Sequence, residues 1–263
     1  MKEKEVLLRA LRAAGKVLAA KIGKVSYRLK GRANLLTEAD LAAQKTAVGI
    51  IRRAFPEDGF LAEESPAELT PNGRLWIIDP LDGTTNYAHG FPAASVSIAF
   101  ASRGRVEAGG VYDPFRNEEF TAARGRGAFL NGRRLRVSRA PTLSRALLVT
   151  GFAYDRAERA NFYLRFFADF MKLCHDVRRM GAASLDMCWL AAGRTDGYWE
   201  FGLKPWDVAA GRLILEEAGG RTSDFSGKPW RVGETLGGET LATNGRIHAA
   251  MLKVIRRRLG RRG

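Results

Sequence analysis

Apolar positions recur at helical spacing near the start of the chain. Leu7, Leu11, Ala14, Leu18 and Ile22 alternate with Arg9, Arg12, Lys16 and Lys21, which predicts an amphipathic helix over residues 3–22. A loop from Asn34 to Asp40 leads into a second helix, about Glu38 to Ala54. It ends at Phe55-Pro56, because the residue before proline disfavours helical backbone. From residue 75 the pattern becomes strand-like. Leu75-Trp76-Ile77-Ile78 is a short apolar run stopped by Asp79-Pro80. Ala94 to Ser102, Arg105 to Tyr112 and Glu118 to Ala123 read as a meander, and Asn131-Gly132 between Ala128-Phe129-Leu130 and Leu135-Arg136-Val137 is a hairpin signal.

Beyond Ser138 to Leu143 strands and helices alternate. Ala146 to Thr150 is a strand. Asp155 to Leu173 is a helix whose Phe162, Phe166, Phe167 and Phe170 fall on one side and read as core. Ser184 is positioned to cap a helix running to Ala192, Asp207 to open one running to Ala218, and Ile247 to Leu259 forms the last helix. The pattern divides the chain into an N-terminal α+β half, 1–140, and a C-terminal α/β half, 141–263.

Composition narrows the class without naming a function. The 263 residues are 46% hydrophobic and 27% charged, in the range of globular proteins. No apolar run approaches the ~20 residues of a membrane span, so no membrane association is expected. Two cysteines, Cys174 and Cys188, make no disulfide framework, and a reducing cytoplasmic setting is the simplest expectation. The net charge of +15 is concentrated. Residues 121–145 hold seven arginines and residues 253–263 hold six basic residues, with no acid in either stretch. These stretches raise the prospect of a nucleic-acid or transcription-complex partner. A solvated hairpin and a frayed basic tail is the favoured reading, because Phe129 is the only aromatic in 121–145 available for base stacking.

The chemistry sits with a few acids. Asp79 and Asp82 flank Pro80-Leu81 directly after an apolar strand, where uncompensated carboxylates are costly and a divalent cation removes the cost. Gly83-Thr84-Thr85 follows and can offer backbone N–H groups to an anion. Glu63-Glu64 and Asp207 could join them, although taken singly Glu63 and Glu64 read better as exposed loop acids and Asp207 as a helix N-cap. No His/Cys spacing suggests zinc, and no G-x-S-x-G or dinucleotide fingerprint occurs.

Taken together the motifs resemble the inositol monophosphatase family. Ala62-Glu63-Glu64-Ser65 resembles its E-E-S segment, and Trp76 to Asn86 (WIIDPLDGTTN) its metal-binding signature. Trp206-Asp207-Val208-Ala209-Ala210-Gly211, running into Glu217-Ala218-Gly219-Gly220, resembles its C-terminal signature, and Leu35 to Asp40 its V-T-E-A-D segment. The resemblance implies a layered αβαβα sandwich of the sugar-phosphatase type, usually a homodimer. It implies two or three Mg²⁺ ions per site, held by Glu63, Asp79, the Leu81 carbonyl, Asp82 and Asp207. It implies that Gly83 and Thr84 hold phosphate and that Thr84, bonded to Asp40, acts with Glu63 on the attacking water. Asp82, Ala183 and Glu200 fall where relatives meet the polyol.

The implied reaction is Mg²⁺-dependent hydrolysis of a phosphate monoester, foremost inositol 1-phosphate, by metal-activated water. Fructose-1,6-bisphosphatase or dual activity, 3′-phosphoadenosine 5′-phosphate nucleotidase and histidinol phosphatase are the alternatives within the superfamily. Arg178-Arg179 lies near the same edge and could meet a second phosphate or an oligomer partner. Lys30 is an uncertain match to a basic residue beside the third metal.

Overall fold

The computed structural model describes residues 2–29, 35–230 and 238–260. Lys30 lies outside them, as do Arg261 and Arg262 of the basic C-terminus. In chain order the elements begin with α1 (Lys2–Lys21), β1 (Tyr27–Leu29), β2 (Leu35–Thr37), α2 (Glu38–Ala54), β3 (Gly59–Ala62) and β4 (Arg74–Asp82). There follow α3 (Thr84–Ala88), β5 (Ser95–Ser102), β6 (Arg105–Asp113), β7 (Glu118–Ala123), β8 (Ala128–Leu130) and β9 (Arg133–Arg134). The rest is β10 (Leu147–Thr150), α4 (Arg156–Met171), β11 (Asp176–Arg178), α5 (Ala183–Ala191), β12 (Gly197–Phe201), α6 (Pro205–Glu217), β13 (Arg221–Ser223), β14 (Glu239–Thr243) and α7 (His248–Arg258).

Two sheets carry the architecture. A seven-stranded sheet runs in the order β3-β4-β5-β6-β7-β8-β9, and a five-stranded sheet in the order β11-β10-β12-β14-β13. Strand alternation sends successive side chains to opposite faces. Trp76, Ile78, Val96 and Ile98 face α1 and α2 in one core cluster. Ile77, Ala99, Val111 and Phe120 of the same sheet, and Val149, Tyr198 and Ala242 of the second, enclose α5 and α6 in another. Leu148, Trp199 and Leu241 pack on α4 and α7 through Phe166, Phe170, Met251 and Ile255. The layers are therefore αβαβα, as the motif resemblance implied. The phenylalanines of α4 are core: Phe166 and Phe170 are buried, and Phe162 and Phe166 meet Phe201 edge-on.

Several local readings need correction. The strand that begins before Leu75 does not stop at Asp79-Pro80. It continues to Asp82, with Asp79 opposite Ser97 and Asp82 opposite Ser95, and the register shifts between them. Proline cannot donate to a ladder, so Pro80 is accommodated in that irregularity. Ser184 does not cap α5, whose N-cap is Ala182, and Asp207 is the third residue of α6 rather than its cap. The C-terminal segment is no frayed tail as far as it is described. Val254 and Ile255 are buried, and Arg258 makes a two-pronged ion pair with Asp169. The Asn131-Gly132 turn is as expected, with both residues at positive φ.

Candidate functional site

Four carboxylates reach one cleft by three routes. Asp79 and Asp82 lie at the irregular end of β4, Glu63 directly follows the parallel strand β3, and Asp207 sits in the first turn of α6. The cleft, about 200 Å³, is lined by all four together with Leu81, Gly83, Thr84, Ala183 and Glu200. Sequence positions from 63 to 207 thus meet in one cavity. Asp40 is fully buried behind it. Its Oδ2 accepts from the Thr37 N–H at 2.8 Å and the Thr37 hydroxyl at 2.6 Å, and its Oδ1 lies 3.3 Å from the Thr84 hydroxyl. The expected Asp40–Thr84 contact is present, although Thr84 also reaches the Leu81 carbonyl at 2.9 Å.

Backbone donors fix the acids. The Leu81 N–H donates to Asp79 Oδ1 at 2.9 Å, and the Lys204 N–H to Asp207 Oδ2 at 2.7 Å. Asp82 is held from the second half of the chain. The Ser184 N–H donates to its Oδ2 at 2.6 Å, the Ser184 hydroxyl bonds the same oxygen, and the Ala183 N–H reaches Oδ1 at 3.2 Å. Gly83 adopts φ +87°, and an added Cβ there would stand 2.7 Å from the Ala93 carbonyl. Only glycine fits that turn, on conformational and steric grounds alike.

The electrostatics are those of a site short of positive charge. Burial pushes Asp79 well above the usual carboxylate range, and Glu63, Asp82 and Asp207 add to the shift by repulsion. Asp207 is raised in the same way, by burial first and then by Asp82. Asp82 is also raised by burial, against the lowering effect of the Ser184 and Ala183 donors. Arg156, Arg179 and Lys204 are the cations of the lining. Glu200 is buried, its Oε2 accepts from the Tyr198 hydroxyl, and burial raises it to about 7 while Arg179 and Arg156 pull the other way.

The donor set suits a hard divalent cation. Among the described residues no three His, Cys, Asp or Glu side chains already form a metal cage. Mg²⁺ rarely needs one: it keeps several waters and takes one or two carboxylates plus phosphate oxygens. Four acids spread around a cleft beside the Gly83–Thr84 turn, repelling one another strongly enough to raise Asp79 and Asp207, fit that mode of binding.

Some participants carried no signal in the chain. Ser184 lies 102 residues from the carboxylate it holds. Asn86 stands inside a recognised motif, yet its role is spatial: its amide donates to the carbonyls of Ala93 and Met180, both at 2.8 Å, joining α3 to the approach to α5. His248 is buried between Ser223 and Thr243 and lowered to about 4 by burial, so it is a neutral packing group. Cys174 and Cys188 are free thiols. No helix among the described residues is long and apolar enough to cross a membrane.

A five-layer αβαβα sandwich with an acidic cleft beside the end of β4 is the architecture of the sugar-phosphatase class. The chain belongs to the inositol monophosphatase family, whose model matches residues 2–259. It is 47% identical over 230 residues to the Nus factor SuhB of Pseudomonas aeruginosa, covering 84% of this chain and 85% of the relative. It is 43% identical over 254 residues to the inositol-1-monophosphatase of a Synechocystis species, covering 95% and 88%. The solved structure of Thermotoga maritima IMPase superposes with a TM-score of 0.90 at 35% identity over 99% of both chains. An IMPase/NADP phosphatase complexed with Mg²⁺ and phosphate superposes with a TM-score of 0.83 at 26% identity, covering 95% and 93%.

Proposed function

We propose that the protein is a Mg²⁺-dependent phosphatase of polyol phosphates, with inositol 1-phosphate as the leading substrate. One observation carries the reading: Glu63, the Asp79/Asp82 pair and Asp207, from three separate stretches of chain, line one cleft beside the Gly83–Thr84 turn. The metal would be held by these acids and the Leu81 carbonyl, as two or three ions. Bound there, Mg²⁺ would activate water and neutralise phosphate charge.

The chain's own groups do the rest. The Gly83 and Thr84 N–H groups receive the phosphate oxygens. Asp40 holds the Thr84 hydroxyl, and Thr84 with Glu63 orients the attacking water. At the far side, Asp82, the Ala183 backbone and the Glu200 carboxylate receive the polyol, since a carboxylate accepts hydrogen bonds from hydroxyls. A homodimer in a reducing cytoplasm completes the proposal, consistent with the two free thiols. Purified protein with Mg²⁺ is assayed for phosphate release from inositol 1-phosphate, fructose 1,6-bisphosphate, 3′-phosphoadenosine 5′-phosphate and histidinol phosphate. Release from inositol 1-phosphate above the others is expected; release from none would overturn the enzyme reading.

A second reading, an added role in a transcription complex, is motivated by relatives bearing the name Nus factor. The basic stretches support it weakly, because several of their arginines serve the fold. Arg124 donates to the Val106 carbonyl, Arg256 to those of Phe225 and Ser226, and Arg258 is paired with Asp169.

A further inference from the structure

Glu200 owes its place to a residue that does not line the cleft. Gly151 directly follows β10, which runs parallel to β12 with Thr150 opposite Trp199. The Thr150 hydroxyl donates to the Trp199 carbonyl at 2.7 Å, so the two strand ends are fastened together. This sets buried Gly151 against Glu200. A Cβ built on Gly151 would overlap all three carboxyl atoms of Glu200: Cδ, Oε1 and Oε2. The Gly151 backbone is not in the left-handed region, so alanine would be conformationally acceptable there. What a side chain at 151 would meet is the end of one side chain, the Glu200 carboxylate, which must shift to admit it.

The carboxylate is tethered on the side away from the cleft's open space. Glu200 is 8% exposed, and its Oε2 is tied to the hydroxyl of Tyr198, which is fully buried. We propose that Gly151 is a positioning residue that sets polyol selectivity: its missing side chain is the seat in which the Glu200 carboxylate is held toward the substrate's hydroxyls. The inference rests on the phosphatase reading above and deepens it. It assigns the substrate's hydroxyl face to a Gly151–Glu200–Tyr198 unit, and it makes the size of residue 151 a selectivity switch. A larger residue would push the carboxylate off its seat without touching the acids that face the phosphate.

The test compares Gly151→Ala, Glu200→Ala and the double variant on inositol 1-phosphate and on p-nitrophenyl phosphate, which has no aliphatic hydroxyls. Folding is followed by circular dichroism. For Gly151→Ala the ratio of kcat/KM on inositol 1-phosphate to that on p-nitrophenyl phosphate is expected to fall about tenfold, the scale of one charge-assisted hydrogen bond. The loss should appear in KM for inositol 1-phosphate, and the double variant should be no worse than Glu200→Ala. An unchanged ratio in folded Gly151→Ala, an equal loss on both substrates, or additive losses in the double variant would each overturn the inference while leaving the phosphatase reading standing. If Gly151→Ala does not fold, Gly151→Ala/Glu200→Asp decides, because the shorter acid withdraws from the new methyl. Recovered folding supports the clash and no recovery overturns it. Wild-type turnover of neither substrate would overturn the phosphatase reading, and the inference with it.

Discussion

Ser184 donates twice to Asp82, from its backbone N–H at 2.6 Å and from its hydroxyl. The two residues come from different sheets' surroundings, Asp82 from the end of β4 and Ser184 from the first turn of α5. The contact therefore joins the halves of the molecule at the point where the chemistry is proposed. Replacing Ser184 by alanine keeps the backbone donor and removes the hydroxyl. The expected result is an apparent Mg²⁺ requirement for activity raised about 10–100-fold, as for outer partners of metal ligands. A Mg²⁺ titration of activity checks it; an unchanged midpoint would show that the hydroxyl serves packing alone.

Asp82→Asn keeps the shape of the side chain and removes its charge. Turnover should fall by more than about 100-fold, beyond the range of outer-sphere substitutions. Thermal unfolding should show an intact fold. Near-normal kcat in this variant would contradict the proposed metal set.

The acidic cleft makes a prediction about stability in the absence of metal. Asp79 is raised in the folded protein, by burial first and then by its acidic neighbours. Between the ordinary carboxylate value and the raised one, the folded state binds more protons than the unfolded state, so stability falls as pH rises through that window. Asp79→Asn removes this contribution. In chelator-treated samples its Tm should exceed that of wild type by a margin that grows as pH rises from about 4 toward neutrality, starting from the ordinary Asp value. Mg²⁺ should narrow the difference by stabilising the wild type. A margin independent of pH would count against the buried charge as its cause.

Glu200 titrates near 7 because burial outweighs the help of Tyr198, Arg179 and Arg156. Its ionised form is acceptor-only at both oxygens, whereas protonation turns one of them into a donor. KM for inositol 1-phosphate is therefore expected to fall as pH rises through about 7. Glu200→Gln should flatten that step without abolishing phosphate release. A pH profile of KM with the same step in both proteins would assign it elsewhere.

The basic C-terminus is testable by charge but not by deletion. Cutting after Leu252 removes Val254 and Ile255 from the core, and large-to-small losses at such sites cost about 2–5 kcal/mol for an Ile. The useful variant is Arg257→Glu with Arg133→Glu, on α7 and on the β8–β9 hairpin. RNA affinity measured across a salt series should be unchanged if these charges are solvated. A shallower salt slope would instead establish a phosphate contact.

The layered fold and the acids of the cleft were legible in the chain, for local reasons. WIIDPLDGTTN places its acids and glycine within one turn's reach of each other, so the motif carries its own geometry. Helical spacing from Leu7 to Leu18 and the Asn131-Gly132 turn likewise express short-range sterics. Short buried strands such as Gly59–Ala62 and Gly197–Phe201 gave little pattern, because both faces are covered and nothing alternates, and Asp176–Arg178 is too short at three residues to show a period. Asp79-Pro80 read as a strand stop because proline breaks a ladder; pairing with β5 around an irregularity carries the strand on to Asp82.

The sequence by itself picked out the residues proposed for the chemistry: the acids Glu63, Asp79, Asp82 and Asp207, beside the Gly83-Thr84 turn. Only the tertiary structure decided how they are held. Ser184 meets Asp82 across 102 residues, Tyr198 tethers Glu200, and Gly151 makes room for its carboxylate. Motif spacing encodes contacts within a turn or two. Contacts between distant segments arise only when sheets and helices stack, so close packing, which sets Gly151 directly against the Glu200 carboxylate, determines them.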